Sequence, residues 1–258
     1  MIFYLINKIK KGEINLVKIG CLARFSNRYE YEVNFAKKNN FALMQIWYDK
    51  RGIYLHESDK PYIETINKYA FPAIIHAVLD ISEFDEHVPK LVEILKKLGH
   101  KEVIIHPICN SEKINDETIF KLVEKVKMAL GIFKLEDITL YLENNSKLDP
   151  IFTSAEEVEI MFRENPELQF VLDIAHIDSY EHLIEMIKIR RPNLLHIADR
   201  HFNVIHEHLP IGQGEIDYRY IFKEILPNYE GRIILEIVNE EEDIINSKEI
   251  IESCVKQL

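Results

Sequence analysis

Six apolar runs in the chain each carry an ionisable side chain at or near their last residue. Ala73 to Val78 contains His76, Glu102 to His106 ends on His106, and Ile138 to Glu143 ends on Glu143. Gln169 to Ile174 contains Asp173, Asn193 to Ala198 contains His196, and Arg232 to Val238 contains Glu236. His176 follows the fourth run closely, and the segment after the fifth adds His201, His206 and His208. A single His or Glu in such a place is ordinarily a hydrogen-bonded core residue or an exposed strand end. A series of them on successive runs has a different meaning if the runs converge, because Glu143, Asp173 and Glu236 would then repel one another in a buried pocket. A bound cation resolves that conflict. Mixed imidazole and carboxylate donors suit Zn, Mn and related divalent ions better than an all-oxygen Ca site or a thiolate site.

Convergence depends on the elements that carry these residues. From residue 70 onward, short β-rich runs alternate with stretches of helical period, the mark of βα units in a parallel sheet. The runs are nearly continuous in Val, Ile, Leu, Phe and Tyr, as strands covered on both faces require. Between them Val88, Leu91, Val92, Leu95 and Leu98 keep helical spacing, as do Ile119, Leu122, Val123, Val126 and Leu130. Gly99 and Gly131 stand where left-handed cap residues are wanted, and Ser154 with Glu157 forms a capping box. Upstream, Leu16 to Leu22 and Phe41 to Tyr48 read as two further strands around a helix at Tyr29 to Lys38, and Asp217 reads as the N-cap of a helix from Tyr218 to Leu226. Eight βα units in 258 residues predict an α/β fold, a closed (β/α)8 barrel forming a single domain over residues 1–258. A doubly wound open sheet is the alternative. It ordinarily has a Gly-rich phosphate turn after its first strand, and Gly20-Cys21-Leu22-Ala23 is not one. In a barrel, the C-terminal strand ends share one axial pocket.

Composition narrows the function classes. With 43 acidic and 32 basic side chains the formal charge is -11, which argues against non-specific affinity for nucleic acid. The 47% hydrophobic content can support a core, yet no apolar run approaches the roughly 20 residues of a membrane span. Met1 to Leu5 lacks the features of a signal peptide. Cys21, Cys109 and Cys254 form neither a CxxC motif nor a disulfide framework, so a reducing cytoplasm is expected. His87, His100 and His182 are expected on or beside solvent-facing helices and His56 in a polar stretch, none of them a ligand. Arg24, Arg28 and the stretch Tyr48 to Arg51 are expected in solvated loops.

The segments IIHAVLD around His76, VIIHP around His106, LYLENN around Glu143, VLDIAH from Val171, LLHIADRH from Leu194, HLPIGQGEID from His208 and IILEI around Glu236 together resemble the xylose isomerase-like TIM barrels. This superfamily joins sugar isomerases and epimerases to endonuclease IV-like nucleases of abasic DNA. In the isomerase branch, the resemblance implies one Mn, Mg, Co or Zn ion held by Glu143, Asp173, His196 and Glu236, with Glu143 and Glu236 moving the proton. His176 would hydrogen-bond a substrate hydroxyl. In the nuclease branch it implies up to three Zn ions, one on His76, His106 and Glu143 and another on His176 and His208, with His206 where that branch has Asp.

Ala198 stands where the family often has Lys; Arg200 is a substitute only if its loop points inward. Trp47 is a candidate for stacking on a sugar face. The leading reading is therefore a metal-dependent isomerase or epimerase of a small carbohydrate. A zinc phosphodiesterase competes with it and is the only reading with a nucleic-acid partner, and a barrel that binds metal or ligand without turnover is a third. No membrane partner is expected, and oligomeric state is open.

Overall fold

The computed structural model describes residues 17–256; Met1 to Leu5, and Leu16 at the head of the first predicted strand, lie outside them. Among the described residues there are nine strands: β1 (Lys18–Leu22), β2 (Met44–Asp49), β3 (Gly52–Tyr54), β4 (Ala73–Asp80), β5 (Glu102–Ile108), β6 (Thr139–Glu143), β7 (Gln169–Asp173), β8 (Leu194–Ile197) and β9 (Arg232–Leu235). All but β3 pair in parallel in the order β1, β9, β8, β7, β6, β5, β4, β2, and a β1–β2 pairing closes the ring. The result is a single-domain (β/α)8 barrel. Helices α1 (Tyr29–Lys38), α2 (Tyr62–Tyr69), α3 (Phe84–Leu98), α4 (Asp116–Lys134), α5 (Ala155–Glu164), α6 (Tyr180–Ile189), α7 (Tyr218–Tyr220) and α8 (Glu241–Lys256) lie between or after the strands.

Side-chain alternation along the strands stacks the barrel interior in layers. Near the N-terminal ends, Arg232 donates to Glu102 at 2.7 and 2.5 Å and Tyr141 donates to the same carboxylate at 2.9 Å. Above that, Leu22, Leu43, Ile74, Ile104, Tyr141, Val171, Leu194 and Ile234 form a closed apolar layer. Each such side chain contributes roughly 1.5–3 kcal/mol on burial. This layer separates the upper half of the barrel from the solvent below, and the next inward positions are the ionisable ones.

Several local expectations change in three dimensions. Tyr48 to Arg51 is a hairpin rather than a solvated loop: β3 folds back antiparallel on β2, pairing Trp47 with Tyr54 and Asp49 with Gly52. Gly52 takes φ 101°, which the turn requires and only glycine adopts readily. Gly99 does cap α3 at φ 67°, whereas Gly131 lies inside α4, which runs on to Lys134 because Phe133 still has a core to face. The Ser154–Glu157 capping box forms. Asp217 does cap α7, but the helix widens over Ile221–Ile225 instead of continuing as a regular α-helix.

Two solvent assignments are also corrected. Arg24 is buried against Glu32, which accepts from its backbone N at 3.2 Å and from its guanidinium at 2.8 to 3.1 Å. His87 is buried behind β2, within hydrogen-bond distance of the Tyr48 hydroxyl at 2.8 Å. Both residues face the layer between barrel and helices, which one-dimensional polarity does not reveal. Arg28 remains exposed beside Asp59. No helix among the described residues is long and apolar enough to cross a membrane.

Candidate metal centre

Glu143 is the hub. The last residue of β6, it points inward and is fully buried, with His76 Nε2 at 2.6 Å and His106 Nδ1 at 3.2 Å from Oε2, and His196 Nδ1 at 2.9 Å from Oε1. Burial would push its carboxyl up; His196, His76 and His106 outweigh that and hold it well below the usual carboxylate range. Immediately after β9, Glu236 Oε1 lies 3.3 Å from the same His196 Nδ1 and accepts from Gln45 Nε2 at 2.5 Å. Burial also opposes ionisation of Glu236, and His196 reverses the balance, so this carboxyl too is held low. His196, against its burial, is raised to about 9 by Glu236 and Glu143.

Asp173 is the group the protein alone does not accommodate. Burial and the neighbouring Glu236 and Glu143 push its carboxyl well above the usual range, and Oδ2 has no hydrogen-bond partner. Beside it are two imidazoles whose tautomers are set by their surroundings. His176 Nδ1 donates to the Asn144 carbonyl at 2.9 Å and His208 Nδ1 donates to the Glu236 carbonyl at 3.2 Å. Each ring then turns an Nε2 lone pair inward. The two Nε2 atoms are 3.3 Å apart, and Asp173 Oδ2 is 3.5 Å from one and 3.8 Å from the other. Lone pairs facing one another at this distance repel unless a proton or cation lies among them. The donor set therefore fits a divalent cation, with imidazole and carboxylate ligands and carbonyl partners fixing each ring.

The donors fall into overlapping groups whose ligand atoms all lie within 4.8 Å of one another. One is His76, Glu143, His196 and Glu236; others are Glu143, Asp173 and His176; Asp173, His208 and Glu236; and His176, His206 and His208. Of the four residues expected to share one ion, Glu143, His196 and Glu236 fall in one group whose fourth member is His76, while Asp173 falls in two other groups, one with Glu143 and one with Glu236. His106 extends the cluster toward Asp149, 3.6 Å away, and is raised to about 10, Glu143 and Asp149 overcoming its burial. His206 is the most exposed donor and lies 3.2 Å from Ser146.

The remaining predicted residues fall as follows. Trp47 is at the rim of the cluster, its ring 5.0 Å from that of His76 and edge-on to it. Arg200 does turn inward, but its guanidinium donates to the carbonyls of Ile177 at 2.9 Å and Ile205 at 3.2 Å, tying two loops together. Asp199 orders the segment that carries the loop histidines: its carboxylate accepts from the backbone N of Arg200, Gly212 and Ile216. Gly214 packs so closely on Asp199 and Arg200 that a Cβ would collide with their atoms, which is the structural use of the GQGEID turn. His56, His87, His100 and His182 stand outside every donor group.

Sequence reasoning missed Gln45, Asn144 and Asp149. Gln45 was signalled only by being a polar residue within an apolar strand. Asn144 joins adjacent strands, donating to the Asp173 carbonyl at 3.1 Å and accepting from the Asp173 N–H at 2.7 Å. Such a cross-strand role has no local signature.

The closed parallel barrel thus carries a buried imidazole and carboxylate cluster at its C-terminal mouth, with donors of the kind that suit a divalent ion. Residues 79–254 match the family described as xylose isomerase-like TIM barrel, and the chain belongs to that family. No curated protein matches it in sequence. Among solved structures it is similar to a D-tagatose 3-epimerase-like protein, with 22% identity, 93% of this chain and 98% of that chain covered, and a TM-score of 0.72. It is also similar to the IolI protein with a bound zinc atom, at 17% identity, 93% and 99% coverage and a TM-score of 0.73. A third is 3-keto-D-glucoside 4-epimerase YcjR from E. coli, at 17% identity, 92% and 100% coverage and a TM-score of 0.69. At these identities the likeness is one of fold.

Proposed function

We propose that the chain is a divalent-metal-dependent isomerase or epimerase of a small sugar or sugar-like substrate. The observation that carries this reading is the pair Glu143 and Glu236: two buried carboxylates, one ending β6 and one immediately after β9, both held ionised, both against His196 Nδ1. Glu143, Asp173, His196 and Glu236 would hold one Mn, Zn, Co or Mg ion. When bound, such an ion polarises a carbonyl and its neighbouring hydroxyl and so acidifies the adjacent C–H. One glutamate takes that proton, and the other, or the same one, returns it. Gln45 fixes the orientation of Glu236. His176 orients a substrate hydroxyl, and Trp47 lines the sugar pocket. Arg200 serves the reaction by holding the surrounding loops. The three free cysteines suit a reducing cytoplasm.

The sugar epimerases among the similar folds support the class, and the zinc atom of the IolI structure supports a divalent ion. A second reading, a multinuclear zinc phosphodiesterase, is favoured by one specific feature, donors beyond the central four: His76 and His106 both approach Glu143 Oε2, and His176, His206 and His208 form a group of their own. Two measurements separate the readings. Metal content of the purified chain is expected near one ion, and D-fructose and related ketoses in D2O should gain deuterium next to the carbonyl. Glu236→Gln should abolish that exchange. Two or three Zn per chain, with hydrolysis of a phosphodiester and no exchange, would refute the isomerase reading; bound metal with neither activity would make the barrel a binding protein.

A further inference from the structure

Directly beside the cluster lies a cavity of 290 Å³ whose lining includes Phe25, Trp47, Asp49, Arg51, Tyr54 and Val78. Its walls come from separate elements: Phe25 from the loop after β1, Trp47 from the inward face of β2, and Tyr54 from the returning strand β3. The Phe25 and Tyr54 rings are 4.8 Å apart. Phe25 is 48% exposed, so it does not serve the core. Trp47 links the cavity to the cluster through its contact with His76, and His76 touches Glu143.

The charges of this cavity are already committed. Among the described residues Arg51 is its one cation; it is paired with Asp49 through both carboxylate oxygens and sits over the Tyr54 ring at 4.6 Å. The hydrogen bond from Arg51 holds the Asp49 carboxyl below its ordinary value. A phosphate group would need donors of that kind free. Entering here, it would have to break the pair and would then face the Asp49 carboxylate. The aromatic faces instead match the C–H face of a sugar ring, which is apolar.

We propose that this cavity binds the part of the substrate remote from the reacting carbons, that this part is the C–H face of an unphosphorylated sugar, and that the site discriminates against sugar phosphates. The proposal rests on the isomerase or epimerase reading and names its substrate class. The hairpin β2–β3 thereby acquires a role: it carries Tyr54 and the neutralised Asp49–Arg51 pair to the barrel mouth.

The test uses Trp47, the chain's one tryptophan, as its own reporter. Emission is titrated with D-fructose and with D-fructose 6-phosphate on the metal-loaded chain. The neutral sugar should change the emission and bind at least about tenfold more tightly than the phosphate. Phe25→Ala and Tyr54→Ala, checked for folding by circular dichroism, should each weaken it by about two- to tenfold, the usual worth of an aromatic contact. Tighter binding of the 6-phosphate would overturn the proposal, above all if Lys50→Ala removed it, since Lys50 is an exposed cation in the adjoining cleft. So would no response to D-fructose, or unchanged binding in both folded variants. The titration needs no turnover. Sugar binding without proton exchange would refute the chemistry and keep the subsite, whereas exchange with unchanged KM in both variants would refute the subsite and keep the chemistry.

Discussion

Asp80, the last residue of β4, offers a sharp quantitative test because its carboxylate ties two loops at the C-terminal face of the barrel together. Oδ1 accepts from Ser82 N at 2.9 Å, Ser82 Oγ at 2.7 Å and Ser111 Oγ at 2.7 Å; Oδ2 accepts from Asn110 N at 2.7 Å and Ser111 N at 3.2 Å. Burial alone would raise this carboxyl, but the hydrogen bonds from Ser111, Ser82 and Asn110 lower it from 3.8 to about 2. At about 1.4 kcal/mol per tenfold change in proton affinity, the difference is worth about 2 kcal/mol of folding stability. The folded-state value is depressed, so this contribution is complete above the unfolded value near 4 and is lost as pH falls toward 2. Asp80→Asn replaces one acceptor oxygen by an NH2 group facing two backbone N–H donors. Each donor left unpaired costs about 1–3 kcal/mol, giving an expected loss of about 2–6 kcal/mol at pH 7. Urea unfolding of both proteins at pH 7, 4 and 3 measures this, and the gap between them should narrow as pH drops. A loss under about 0.5 kcal/mol, the range of ordinary surface substitutions, or a gap that stays constant with pH, would refute the reasoning.

Three further outcomes follow from other contacts. Arg24→Ala strands the buried Glu32 carboxylate and should cost about 3–5 kcal/mol in urea unfolding, while the Arg24→Met, Glu32→Leu double variant should regain much of it; equal losses in both would show that the pair itself is not the cause. Gln45→Leu removes the donor that orients Glu236 and should lower kcat about tenfold or more, the worth of a hydrogen bond to a charged group, with the metal content unchanged; loss of metal would instead make Gln45 a part of the ion site. His106→Ala should leave metal content and deuterium exchange largely intact on the one-ion reading, and a drop in bound metal accompanied by loss of activity would favour the multinuclear one.

How much of this was legible in the sequence can be judged residue by residue. Glu143, Asp173, His196 and Glu236 were visible because a parallel barrel sends every strand end to one mouth, and period-2 alternation then decides which end residues face inward. The Ser154 box and the Gly99 cap were visible because capping is local. Gly131 misled, since a glycine within a helix resembles one beyond its end until the packing of Phe133 is known. Arg24 and His87 misled because their polarity is satisfied by Glu32 and Tyr48, partners set by tertiary packing.

Sequence by itself determined the alternation of elements, the barrel class and the identity of the inward donors, all consequences of short-range backbone periodicity. Only tertiary structure decided which donors share a space. It set the inward tautomers of His176 and His208 through the carbonyls of Asn144 and Glu236. It left Asp173 Oδ2 without a partner, and it folded β3 back to bring Tyr54 opposite Trp47. Those outcomes depend on distances between residues far apart in the chain, which barrel closure fixes and local pattern cannot.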